Sequence, residues 1–468
     1  MEKNLIINKK NIIFFIFANI VLFFVVIFLT SCGSCDNKFT NLLGSSSNPI
    51  INGAVHIDTN GTDWYNSVLF DGYNYYISGW QEDSTRKYAI VKLGTDLTLN
   101  YAKYYTASGA SDMGLTNLWF DPNNNNELFA GGWYSPNGII YHGIICKVNK
   151  NTGNLTISKL LNNIGPLSIT TDNSNLYGIS EDGYVIKTEL DLDLVDAKQI
   201  SGYLFENITQ NNNYIATYNF DNPYGVVIIK KDLSNSININ TNGNQDQVPL
   251  MDNNYLYLID ESTNNKLLVV KIDITNLSSL SVNSSKEYIW DSLEGIYSGA
   301  FLSDGNIVIG ITTSESPNNL IFLKINKNDL SIMNQIKLSA KGGGNSQIVL
   351  MNIFPTLDGG FFAARFINGG NVGYALKMPS DFNLGNNCVF NVSNPNITAN
   401  NYTYTLNTTV PTLTNVTLTE DSIPTLTEVN IDTFVGCMNP APNINGNING
   451  NREGNNNTAP ATGKTNRK

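Results

Sequence analysis

Histidine occurs only at His56 and His142 in 468 residues, and arginine only at Arg86, Arg365, Arg452 and Arg467. With only two imidazoles, the sequence argues against a His-rich metal centre or paired-imidazole chemistry. So few guanidinium groups argue against a site that must clamp phosphates or carboxylates with bidentate forks. No CxxC pair, GxSxG, HExxH or phosphate-loop pattern is present. Helical periodicity is also missing: β-branched residues, Asn and Gly saturate the chain, and no long stretch repeats its apolar residues every 3.6 positions. Charge is sparse at 14%, against 41% apolar residues, enough for a substantial core.

What is present begins with a leader. Lys3, Lys9 and Lys10 precede an uninterrupted apolar run, Asn11 to Leu29, which ends in Leu29-Thr30-Ser31-Cys32. This ending resembles the bacterial lipobox, which implies cleavage before Cys32 and diacylation of its thiol. The same run is long enough to span a bilayer as an uncleaved anchor. Both readings place the chain after Ser31 outside the cytoplasm, and the lipobox reading places it at the outer membrane or cell surface, held to the membrane by its lipid anchor. Removing Glu2 and the three lysines takes the net charge from −11 to −13. No basic cluster offsets that charge, which argues against nucleic acid as a partner.

Four further cysteines remain. Cys146 lies in the apolar run GIICKV and is expected to be a buried thiol. Cys388 and Cys437 bracket the C-terminal segment and form a candidate disulfide in an oxidising compartment, although spacing alone does not fix connectivity, and Cys35 is also available.

The informative signal is an internal repeat. An apolar strand closing on lysine recurs at Lys92, Lys147, Lys187, Lys230, Lys271, Lys324 and Lys377, at intervals of 55, 40, 43, 41, 53 and 53 residues. Each is preceded by an acidic or amide turn residue (Asp71, Asp121, Asp172, Asn211, Asp252, Asp304, Asp358) and a further apolar strand such as YYISG or IVIGI. Alternating segments follow, for example LTLNYAKYY and LSIMNQIKL, and another strand precedes each turn residue.

Four strands in each of seven units resemble the degenerate repeats of secreted and lipid-anchored bacterial β-propellers. That resemblance spans about Asp71 to Asp381 and implies an all-β, seven-bladed β-propeller with a short β-rich C-terminal extension. Tryptophan-aspartate, kelch and quinone-docking signatures are absent, so it implies no chemistry. The expected organisation is a signal peptide over 1–31, a tether over 32–49, the propeller over 50–385, a Thr-rich β extension over 386–438 and a disordered tail over 439–468. Ile50 to Tyr65 is expected to supply the strand that closes the ring. The Thr-rich segment reads equally as an outer strand, an appended module or a stalk.

Each turn Asp opens one strand and each Lys ends its antiparallel partner, so the two share one end of the pair. They are expected to form repeated surface ion pairs within each blade. Trp80 and Trp133 begin equivalent loops and are candidate aromatic platforms on the channel rim for a protein or glycan, or else caps between blades. Three stretches carry oxygen ligands at spacings that suggest calcium: Glu189, Asp191 and Asp193 along an edge strand; Asp58, Asn60 and Asp63; and Asp121, Asn123, Asn125 and Glu127. Edge protection and self-satisfied Asn turns explain them equally well, and no metal or cofactor is expected. The functional expectation is a cell-envelope binding or scaffolding module. The alternative is a hydrolase or lyase using rim carboxylates.

Overall fold

The computed structural model describes residues 53–58, 62–82, 85–221, 224–241, 248–261, 266–289, 293–313, 319–340, 347–368, 372–384, 390–421, 424–429 and 434–436. Cys32, Cys35, Cys388, Cys437 and Asn60 lie outside them.

The described strands form seven antiparallel sheets arranged as a seven-bladed β-propeller. Blade 1 consists of Thr62–Phe70, Asn74–Glu82, Arg86–Gly94 and Leu99–Ala107. The same meander repeats with first strands Asp112–Phe120, Leu167–Thr171, Phe205–Gln210, Val248–Met251, Leu293–Phe301 and Gln347–Pro355. First strands of neighbouring blades touch one another all round the ring, which makes them the channel wall. Second and third strands are sandwiched between blades and read as nearly continuous buried apolar runs, such as GVVII and LIFLKI. Seven apolar clusters result, one at each junction between neighbouring blades.

The inner edge of each first strand has main-chain groups with no sheet partner, and side chains from adjacent blades satisfy several of them. Asn66 donates to the Leu115 carbonyl, and Asn117 both accepts from Ile169 N–H and donates to its carbonyl. Ser67 and Ser298 accept from Leu118 and Ile353 N–H.

The ring closes in blade 7, whose fourth strand comes from the other end of the chain. Gly53–Asp58 pairs with Val372–Met378 in the register Gly53↔Lys377 to Ile57↔Gly373. This strand lies within the stretch expected to close the ring, whereas Trp64 and Tyr65 belong to the first strand of blade 1.

The Thr-rich segment is neither a separate module nor a stalk. It runs round the outside of the ring as a belt and adds a fifth strand to six of the seven sheets. Phe390–Ser393 pairs with blade 6, Thr398–Asn401 with blade 5, Asn407–Thr409 with blade 4 and Thr414–Asn415 with blade 3. A single bridge, Glu420↔Leu161, touches blade 2. Leu426–Val429 then pairs with blade 1, and Phe434–Gly436 pairs with the N-terminal strand of blade 7.

Sheet twist makes this path possible. Each strand is rotated by roughly 20–25° from its neighbour, so the fourth lies at a steep angle to the first and runs nearly along the circumference. The lengths agree as well. Five strands at about 4.8 Å spacing around a narrow channel give a radius near 25 Å, and 47 residues at about 3.3 Å cover the matching circumference of about 155 Å. Along the belt, apolar side chains plug the outer mouths of the junctions. Phe390 enters the core between blades 6 and 7, Ile397 that between 5 and 6, and Tyr404 and Leu406 that between 4 and 5. Leu413, then Val416 and Leu418, then Leu426 serve the next three junctions.

Candidate functional site

The repeated turn residues have one structural task in common. In every blade the Oδ1 of Asp71, Asp121, Asp172, Asn211, Asp252, Asp304 or Asp358 accepts main-chain N–H groups two or three residues on, closing the first turn of the blade. The second oxygen differs between blades. Within blades 6 and 7 it meets the repeat lysine, with Lys324 2.7 Å from Asp304 and Lys377 2.9 Å from Asp358.

In blades 1, 3 and 5 the ion pair instead crosses to the next blade, contrary to the intrablade expectation. Lys150, Lys231 and Lys327, each in a turn after a third strand, approach Asp71, Asp172 and Asp252 at 3.4, 3.1 and 3.8 Å. A tyrosine five residues after each Asp donates to the same carboxylate: Tyr76, Tyr177 and Tyr257. These triads staple blade 1 to 2, 3 to 4 and 5 to 6.

Displaced from the carboxylates, the repeat lysines turn to aromatic rings. Lys92 lies over Tyr76 and Tyr101 and donates to the Lys150 carbonyl, Lys187 lies over Tyr177, and Lys271 over Tyr255 at 4.2 Å. Lys147 lies over Phe129 and 4.0 Å from Glu127, while Lys230 ends its strand opposite Tyr214. All seven are on third strands, away from the channel wall. Nor is Lys377 a surface lysine: it is 0% exposed and also donates to the Met378 carbonyl.

Burial would by itself push up the carboxyls of Asp172, Asp304 and Asp358. Amide donors and the facing lysine outweigh it, holding all three below the usual carboxylate range.

The calcium expectation finds no cluster of three or more acidic, His or Cys side chains among the described residues. Glu189 ends a strand while Asp191 and Asp193 sit in and beside the following turn, where Asp191 accepts from Asp193 N–H, so they do not alternate along an edge strand. Asp121 uses Oδ1 on Asn123 and Asn124. Cys146 is a free, fully buried thiol, and burial pushes its ionisation far up.

The opposite face carries the loops between second and third strands, and there the two tryptophans come together across blades 1 and 2. Trp80 stacks on Trp64 at 5.6 Å and meets Trp133 edge-on at 5.1 Å. Trp133 is only 6% exposed, and its ring lies where a Cβ on Gly114 would sit 2.2 Å from it. It therefore supports the rim and offers no platform. Trp80 is half-buried, with Trp64 against one face and Arg86 5.5 Å from the ring centre.

Asp112 organises the polar side of this cluster. It accepts from Trp133 Nε1 at 3.2 Å, from Tyr141 at 3.1 Å and from Arg86, which also pairs with Glu82 at 3.3 Å. Burial, then Asp112, pushes up the Tyr141 phenol. Two carboxylates thus converge beside aromatic rings, but one arginine engages both.

The exposed part of the rim is the loop after Trp133, which sequence reasoning missed. Ile139 is 81% and Ile140 46% exposed, yet the loop is tightly tied. Asn137 Oδ1 accepts from both isoleucine N–H groups, while Ser135 Oγ donates to the Ile140 carbonyl and accepts from Gly138 N–H. Gly138 supplies the positive φ of 70°. The sequence signal was an Ile-Ile-Tyr run directly after the turn-forming Pro-Asn-Gly.

No protein-family model and no curated protein matches the chain. Among solved structures 311 chains match. One of them, from a crystal structure of the mitotic checkpoint complex, is 12% identical with a TM-score of 0.48, covering 72% of this chain and 98% of its own. The propeller assignment rests on the strand pairing above.

Proposed function

We propose that the chain is a cell-envelope lipoprotein, acylated at Cys32, whose propeller is a protein-binding module that docks through the rim of blades 1 and 2. The observation that carries this reading is the rigid, solvent-facing Ile139–Ile140 tip beside Trp80, Arg86 and Tyr141. Isoleucines held out in water by their own loop, next to Trp, Tyr and Arg, match the composition of interface hot spots. A pre-tied loop also loses little entropy on binding. Trp64 stacks on the Trp80 indole and Arg86 lies 5.5 Å from its centre, which favours a protein partner over a stacked sugar. Orientation is consistent with anchoring. The tether enters at Gly53, opposite Lys377 at the face of the Asp/Lys turns, so the rim points the other way.

The test is affinity capture from detergent-solubilised membranes with the intact protein and with Ile139→Asp and Val410→Asp. Val410 is 74% exposed on the belt and serves as the control. A specific partner lost with Ile139→Asp and kept with Val410→Asp supports the reading, and equal capture by both variants refutes it.

The alternative, a hydrolase or lyase, is favoured by the convergence of Glu82 and Asp112 beside Trp80. It predicts turnover of a glycan or peptide panel that Asp112→Asn removes. An Arg86 locked on both carboxylates weighs against it, because an acid/base pair must present a free oxygen to its substrate.

A further inference from the structure

The belt is not held evenly round the ring. At its start, Phe390 and Ile397 are sunk into interblade cores at 1% and 4% exposure. From Tyr404 onward the plugs Tyr404, Leu406, Leu413, Val416, Leu418 and Leu426 are only half-buried. Charge is distributed the opposite way. Phe390 to Gly436 contains no Lys or Arg, and its acids all fall in the last third: Glu420, Asp421, Glu428 and Asp432.

Blades 2 and 1 present lysines to two of these and a histidine to a third. Lys159 pairs with Glu420, His142 Nδ1 lies 3.9 Å from Asp421, and Lys103 pairs with Glu428. The three acids are exposed, so these contacts are open to screening by salt. The next described residues, Phe434–Gly436, cover His56 to Asp58 on the N-terminal strand that closes the ring.

We propose that the last third of the belt, through its described parts Glu420–Asp421, Leu426–Val429 and Phe434–Gly436, is an ionic clasp on ring closure. It docks by charge where the first third docks by burial. Raised ionic strength releases it and uncovers both the Gly53–Asp58 strand and the outer edge of Leu99–Ala107, while Phe390 and Ile397 stay seated.

Hydrogen–deuterium exchange on the full-length protein tests this. Between about 20 mM and 1 M sodium chloride, amides in 426–429, 434–436 and 53–58 should exchange about tenfold faster, with 390–401 unchanged. The double variant Lys103→Gln, Lys159→Gln should show the fast pattern at low salt. The swap Lys103→Glu with Glu428→Lys should restore slow, salt-sensitive exchange, which a merely misfolded variant would not do. Exchange at 426–436 that ignores salt, or that rises equally at 390–401, overturns the proposal.

Discussion

Replacing Phe390 by alanine should destabilise the whole propeller, even though the residue lies outside the seven repeat units. Phe390 is the first described residue of the belt to pair with the ring, opposite Ala340, and its side chain belongs to the buried cluster of Leu338, Phe361, Met378 and Leu384 between blades 6 and 7. Removing a buried Phe side chain costs about 3–5 kcal/mol when the cavity persists. This site lies at the outer mouth of a junction where neighbours can partly close in, so the lower end applies, about 3 kcal/mol. For a domain of this size each kcal/mol moves the melting temperature by roughly 2 °C, giving a drop of about 6 °C. Val392→Ala is the control, two residues along the same strand and on the same face but 42% exposed, and should cost no more than about 1 kcal/mol. Melting followed by circular dichroism, with urea midpoints as a second measure, separates the two. If Phe390→Ala and Val392→Ala melt together, the belt is not part of the folded core.

Three further outcomes follow from the same geometry. Asp172, Asp304 and Asp358 have folded-state pKa values below the unfolded carboxylate value of about 3.9, so their stabilisation is fully present above that pH and is lost as pH falls through the lower folded values; melting temperature should fall in that acid range, and less steeply in Asp172→Asn. Cys146, buried and with ionisation suppressed, should resist iodoacetamide in the native protein and react in denaturant; native labelling would contradict its place between blades 1 and 2. Cys388 precedes Phe390 by two residues and Cys437 follows Gly436 by one, and these two belt ends pair with adjacent blades, 6 and 7; we propose a disulfide between them that tethers the end of the clasp, so that salt frees 434–436 fully only after reduction, and non-reducing peptide mapping would show one linked peptide, whereas two free thiols would refute it.

The blades were legible in the sequence because each repeats the same three physical requirements. An Asx turn, a buried apolar pair of strands and a terminal lysine recur at Asp304 to Lys324 as they do at Asp358 to Lys377. The partners of those residues were not legible, because Asp71, Asp172 and Asp252, each with a tyrosine five residues on, meet a lysine of the next blade, whereas Asp304 and Asp358, without one, meet their own. Asp71 and Tyr76 show that spacing plainly in retrospect. The belt was visible as strand-like composition, but its path was not. Its contacts with the ring span more than 300 residues of sequence at Lys103 and Glu428, and its only local cue is an apolar residue about every seven positions from Phe390 to Leu426. The rim was half legible. Trp80 and Trp133 marked the right junction, but the exposed chemistry lies in the Ile139–Tyr141 loop they support.

Engineered cysteine pairs test the belt most directly, because residues directly opposite in antiparallel strands hold their Cβ atoms about 4.5–5.5 Å apart. Two pairs at distant blades suffice: Ser339 with Asn391 on blade 6, and Thr106 with Thr427 on blade 1. With Cys35, Cys388 and Cys437 replaced by serine, both pairs should cross-link under mild oxidation within a monomer, while Thr106 paired with Thr425 should not. Failure of the blade 1 pair, or cross-linking that ignores register, would contradict a belt that encircles the propeller.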